Sequence, residues 1–241
     1  MVPPRFLFRK ALACVVVLVG LLGGISCSSR DDPRGDRRDE GLPPTPPRPH
    51  APSTAPRVVI LGDSLTAGLG VDVDDAYPAV LQRRLNEQGL KYEVANRGVS
   101  GDTSAGGLSR LDEAIDGDVR VLVVALGGND ALRGLPPEEL KHNLEQIIVR
   151  AQAQGIQVVL AGMEAPPNWG AEYTRAFHAV YPALAAQYRV PLVPFLLTGV
   201  AGIDSLNQAD HIHPNVRGAQ IVAENVWKVL GPTLQRLKPR D

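Results

Sequence analysis

Residues 119–126 read VRVLVVAL, residues 136–154 read PPEELKHNLEQIIVRAQAQ, and residues 157–161 read QVVLA. The first run is apolar almost without a break, as a strand covered on both faces requires. The second carries Leu140, Leu144, Ile147, Ile148 and Ala151 at three- and four-residue spacing. It opens on paired prolines and is followed by Gly155, which predicts an amphipathic helix with defined ends. The third is again a short apolar run. Working outward from this strand, helix and strand, the same alternation predicts further strands at 58–61, 92–95 and 191–193. It predicts further helices at 77–88, 105–115, 172–187 and 214–230. Short connections between alternating elements mean a three-layer α/β domain on a mainly parallel sheet, with its site outside the carboxyl ends of the strands.

The 241 residues carry a formal charge of −1, so nothing in the balance points to nucleic acid. With 44% hydrophobic residues the chain can build a sizeable core. Its two cysteines, Cys14 and Cys27, both precede residue 30, which excludes a disulfide framework or a cysteine metal cluster in the folded part. Three regions differ in chemistry. Residues 1–26 place Arg5, Arg9 and Lys10 before the apolar run ALACVVVLVGLLGGI, the pattern of an export signal. That run has 15 residues, short of the ~20 of a spanning helix. Small residues then lead into Cys27, with Gly24 where a lipoprotein signal usually has leucine; the segment resembles such a signal and makes Cys27 the expected lipidation site. Residues 27–56 balance five arginines against five acids, hold eight prolines, and include one large apolar side chain, Leu42. They predict a solvated tether. Residues 57–237 are the expected catalytic domain.

The candidate chemistry sits after the strands. Gly62-Asp63-Ser64-Leu65 places a serine at a strand-to-helix turn, where the ordinary reading is a helix cap and the G-x-S-x-G elbow is absent. Asp210-His211-Ile212-His213 offers a histidine base with a carboxylate three residues ahead, able to hold the imidazole tautomer. A metal site from Asp210, His211 and His213 is the rival reading; an extended segment would send the two histidines to opposite faces, and few further ligands are evident. His50, His142 and His178 are expected in surface or packing roles. After the second and third strands come Ser100-Gly101-Asp102-Thr103-Ser104 and Gly127-Gly128-Asn129-Asp130, which offer a backbone N–H at Gly101 and a side-chain amide at Asn129 as donors to an oxyanion.

These four blocks resemble those of the SGNH hydrolases, or GDSL esterases, within them the bacterial thioesterase, lysophospholipase and arylesterase group. The resemblance runs from about Val58 to Leu230 and includes Ala131-Leu132-Arg133-Gly134 after the third block. It implies a flavodoxin-like five-stranded sheet and a serine esterase needing no cofactor or metal. Carried over, it implies Ser64 as nucleophile, His213 as base and Asp210 as the acid orienting it. The N–H groups of Ser64 and Gly101 and the side chain of Asn129 would hold the oxyanion, while Asp63, Asp102 and Asp130 would be structural. Expected substrates are lysophospholipids, acyl thioesters or aryl esters. Carbohydrate O-acetyl esters are the alternative, and a non-catalytic binding protein is disfavoured by the complete set. Leu132, Leu135, Met163, Pro166 and Trp169 are the candidates for an apolar substrate wall. The expected location is the cell envelope, on a lipid anchor, with secretion as the alternative.

Overall fold

A computed structural model describes residues 55–237. Five strands form one parallel sheet: β1 (Arg57–Gly62), β2 (Glu93–Gly98), β3 (Val119–Ala125), β4 (Gln157–Ala161) and β5 (Leu192–Val193). Their spatial order is β2-β1-β3-β4-β5, the doubly wound, flavodoxin-like arrangement. Every residue of β3 is buried, because helices cover both faces of the sheet. The longer helices are α2 (Tyr77–Glu87), α6 (Pro137–Ala153), α7 (Ala171–Tyr188) and α8 (Val216–Arg236). Helix α6 buries the five apolar positions that its spacing singled out.

Departures from the pattern have local causes. The helix expected at 105–115 is two short ones, α3 (Ser104–Ser109) and α4 (Leu111–Ala114), joined at Arg110. Arg110 is held in the joint by its own side chain, whose Nε donates to Asp102 Oδ2 at 2.6 Å and whose Nη2 donates to the Gly62 carbonyl at 2.9 Å. Helix α8 starts two residues later than expected, where the Asn215 side chain accepts from Gly218 N–H, and runs past Pro232 to Arg236. The buried Thr233 and Leu234 hold its last turns against the core. Two four- to five-residue helices without an apolar period, α1 (Ser64–Ala67) and α5 (Gly128–Leu132), open directly after β1 and after the β3 loop.

The register positions the site. Gly62 is level with Gly98 on one side and Ala125 on the other, so β1, β2 and β3 end together. The blocks that follow them therefore emerge side by side at the point where the strand order reverses.

Candidate active site

Ser64 is the first residue of α1. The carboxylate of Asp63 caps that helix by accepting from Leu65 N–H at 3.0 Å. As a first helical residue, Ser64 has an N–H with no acceptor inside the helix. Its Oγ lies 2.8 Å from His213 Nε2, and His213 Nδ1 lies 2.6 Å from Asp210 Oδ2. Asp210 Oδ1 also accepts the N–H groups of Ile212 and His213, each at 3.0 Å. The His213 N–H, the His213 ring and the Ile212 N–H together hold the Asp210 carboxyl well below the usual carboxylate range. It therefore stays charged next to the ring.

The loop bearing these groups is not extended. His211 takes a left-handed φ of 59°, which turns the chain back on itself. An isolated bridge between Asn207 and Pro214 closes the turn, and Gln208 N–H donates to the His213 carbonyl at 2.8 Å. The condition that would send His211 and His213 to opposite faces, an extended segment, is thus not met: both line the same cavity, and His211 Nδ1 lies 3.2 Å from Asp204 Oδ1. Among the described residues no three metal-binding side chains are grouped as they would be around an ion. The Gln208 amide, which drew no attention in the sequence, donates to the carbonyls of Leu69 and Pro214 at 2.7 and 3.0 Å and so ties the histidine loop to the serine loop.

The second and third blocks approach from the other side. Gly101 has φ +86°, a backbone that a residue with a Cβ adopts only with strain, and its N–H makes no hydrogen bond among the described residues. Arg133 Nη2 donates to its carbonyl at 2.8 Å and so fixes the plane of the loop. Asn129 Nδ2 donates to the Asp102 carbonyl at 2.9 Å and more loosely to Asp63 Oδ2 at 3.3 Å. Asp130 is buried and accepts both the N–H and the hydroxyl of Ser104, at 2.8 and 2.5 Å. Gly127, with φ +114°, allows the chain past Tyr181: a Cβ there would lie 2.0 Å from the phenolic oxygen. The three motif aspartates thus brace the loops through hydrogen bonds.

Asp63 carries an electrostatic cost. It is 3% exposed, and burial pushes its carboxyl up to about 6 against the lowering pull of Leu65 N–H and His213. The folded state then binds this proton more tightly than the unfolded chain, so its contribution to stability falls as pH rises from about 4 to about 6 and stays lost above. The displacement corresponds to roughly 3 kcal/mol. Asp63→Asn keeps an acceptor for Leu65 and has no charge. Its melting temperature is expected to gain several degrees on that of the wild type between pH 4 and pH 7; a difference that is flat across this range would show that Asp63 does not titrate there.

A cavity of about 450 Å³ opens on Ser64. Leu132 and Met163 line it, as does Pro166. Leu135 and Trp169 stand outside its lining: the Leu135 carbonyl accepts the Tyr173 hydroxyl, and Trp169 lies over Gly134 and Tyr173. Phe195, Leu197 and Ala201, from the stretch after β5, complete the wall. No motif marks them, and only the fold brings them there. A serine hydrogen-bonded to a charge-supported imidazole, beside unengaged N–H groups and an apolar cavity, is an arrangement suited to attack on an acyl carbonyl.

The profile of the GDSL-like lipase/acylhydrolase family matches residues 60–221. The chain is 45% identical over 183 residues to Esterase TesA of Pseudomonas aeruginosa, spanning 76% of this chain and 91% of that protein. It is 38% identical over 181 residues to Thioesterase 1/protease 1/lysophospholipase L1 of Escherichia coli strain K12, spanning 75% of this chain and 86% of that one. The crystal structure of AlinE4, an SGNH-hydrolase family esterase, matches with a TM-score of 0.63 at 39% identity, over 79% of this chain and 100% of that one.

Proposed function

The chain belongs to the GDSL-like lipase/acylhydrolase family and is a serine esterase, and on that premise we propose that Ser64 is its nucleophile, His213 its general base and Asp210 the acid that orients the base. The observation that carries this reading is the continuous hydrogen-bonded line from Asp210 through His213 to Ser64, at 2.6 and 2.8 Å. His213 Nε2 takes the Ser64 proton as Oγ attacks the ester carbonyl. The developing oxyanion is met by the N–H groups of Ser64 and Gly101 and by the Asn129 Nδ2 hydrogen that leaves its long 3.3 Å contact with Asp63 Oδ2. His213 then returns the proton to the leaving alcohol or thiol. Water, deprotonated by the same nitrogen, frees the acid from Ser64.

The substrates we propose are aryl esters, lysophospholipids and acyl thioesters. The wall formed by Leu132, Met163, Phe195 and Leu197 supports a hydrocarbon acyl or aryl group over an acetylated sugar. We also propose export to the cell envelope with Cys27 lipidated; the signal, Cys27 and the tether lie outside the described residues, and the support is the sequence alone. Among the described residues no helix is long and apolar enough to cross a membrane. Mass spectrometry of the mature protein, quenched during turnover of a slow ester, tests both statements. The expected spectra show an acyl group on the peptide containing Ser64 and a lipid-modified Cys27 as first residue. Ester consumption with no acyl group on that peptide would overturn the nucleophile, and an unmodified N-terminus beyond Cys27 would overturn the anchor.

A further inference from the structure

We propose that Glu164 makes this cavity selective for substrate charge, admitting neutral and cationic esters and disfavouring anionic ones. The inference rests on the esterase reading and narrows its substrate class. Of the twenty residues lining the cavity, two are carboxylic acids, Asp63 and Glu164, and none is lysine or arginine. Asp63 has a structural duty as the cap of α1. Glu164 caps no helix. It follows β4 between the apolar Met163 and Ala165, which line the cavity with it.

What holds Glu164 there is one hydrogen bond. His178, on α7, lies with Nδ1 2.7 Å from Glu164 Oε1. In the neutral tautomer with its proton on Nδ1, the ring donates to Oε1, orients the side chain and leaves its charge in place. Oε2 has no partner among the described residues. The side chain is 36% exposed, so it belongs to the boundary between cavity and solvent. Arg133, the cation beside the oxyanion loop, is outside the lining, with Nη2 spent on the Gly101 carbonyl.

A cavity of this volume is about 10 Å across, so any charge on a bound substrate lies within roughly one Debye length of Glu164 at physiological salt. Walls of low polarizability strengthen the field inside. An ester bearing phosphate or sulfonate near its carbonyl is therefore repelled, and one bearing a quaternary ammonium is attracted. Among the proposed substrates this favours uncharged aryl esters over lysophospholipids of net negative charge and thioesters of phosphorylated carriers.

Three butyrate esters of matched two-carbon alcohols provide the test: the choline ester, its uncharged 3,3-dimethylbutyl isostere and the isethionate ester, which ends in sulfonate. In the wild type the ratio of kcat/KM for choline over isethionate ester is expected to be about tenfold or more, shrinking in high salt. Glu164→Gln should lower that ratio about fivefold, chiefly through KM, and Glu164→Lys should invert the preference. Should the lysine variant fail to fold, the glutamine variant decides alone, since it alters one atom. A wild-type ratio near one, or a ratio unchanged in Glu164→Gln, would overturn the proposal while leaving the esterase reading intact. If the wild type hydrolyses none of the three, including the neutral ester, the esterase reading falls and this inference with it.

Discussion

Ser64→Ala is expected to lower kcat by roughly 10⁴- to 10⁶-fold while leaving the melting temperature within about a degree of the wild type. The loss is large because nothing else in the cavity can take over the nucleophile's part: Ser100, the other hydroxyl in the lining, has no hydrogen bond to His213. The fold is spared because the Ser64 hydroxyl holds up nothing but the imidazole. Helix α1 is capped by Asp63, and alanine is at least as good a helix former as serine. His213→Ala should cost a similar factor, and the double variant little more than either, since the two side chains act as one unit. Turnover of a chromogenic short-chain ester measures all three. Near wild-type activity in Ser64→Ala would remove Ser64 from the mechanism.

Asp210→Asn is expected to cost on the order of 10³–10⁴ in kcat with little change in KM. Asparagine can keep the Oδ1 contacts to Ile212 and His213 N–H, so the turn survives, but it sets an amide NH₂ against His213 Nδ1 where Oδ2 now stands. That amide donates to Nδ1 and drives the ring proton to Nε2, the nitrogen that must accept from Ser64. The nucleophile then faces a donor in place of a base. In the wild type the Asp210 carboxyl is held below the usual carboxylate range, chiefly by the His213 N–H, so it remains ionised as pH falls through 5. Loss of the Asp210 charge is therefore not expected to contribute to any decline of kcat/KM in mild acid. A pH–rate profile of both proteins checks this. An Asp210→Asn enzyme with unaltered rate and unaltered acid limb would free Asp210 of its role.

Much of this architecture could be read from local pattern. The apolar stripe of α6 and the apolar run of β3, broken only by Arg120, are each buried as their patterns demanded, because burial is decided residue by residue along an element. The extents of the short helices α1 and α5 are not legible for the opposite reason: four or five residues make no period, and only the strand ends and the Asp63 cap define them. Arg110 breaks a predicted helix because its side chain is recruited by Asp102 and Gly62, the latter 48 positions away, a bond that no local window contains.

The amino-acid sequence by itself determined the class of fold, the five strands and the four blocks that carry Ser64, Gly101, Asn129, Asp210 and His213. These rest on hydrophobic period and on residue types whose chemistry is local. The tertiary structure alone decided that β1, β2 and β3 end level, and so that blocks as far as 149 positions apart meet within hydrogen-bonding distance. It also decided the cavity. Phe195 and Leu197 enter its wall, Leu135 and Trp169 stay out of it, and Glu164 brings a carboxylate held by His178. A side chain's place in a cavity depends on where several loops stop in space, and sequence spacing within one loop does not contain that information.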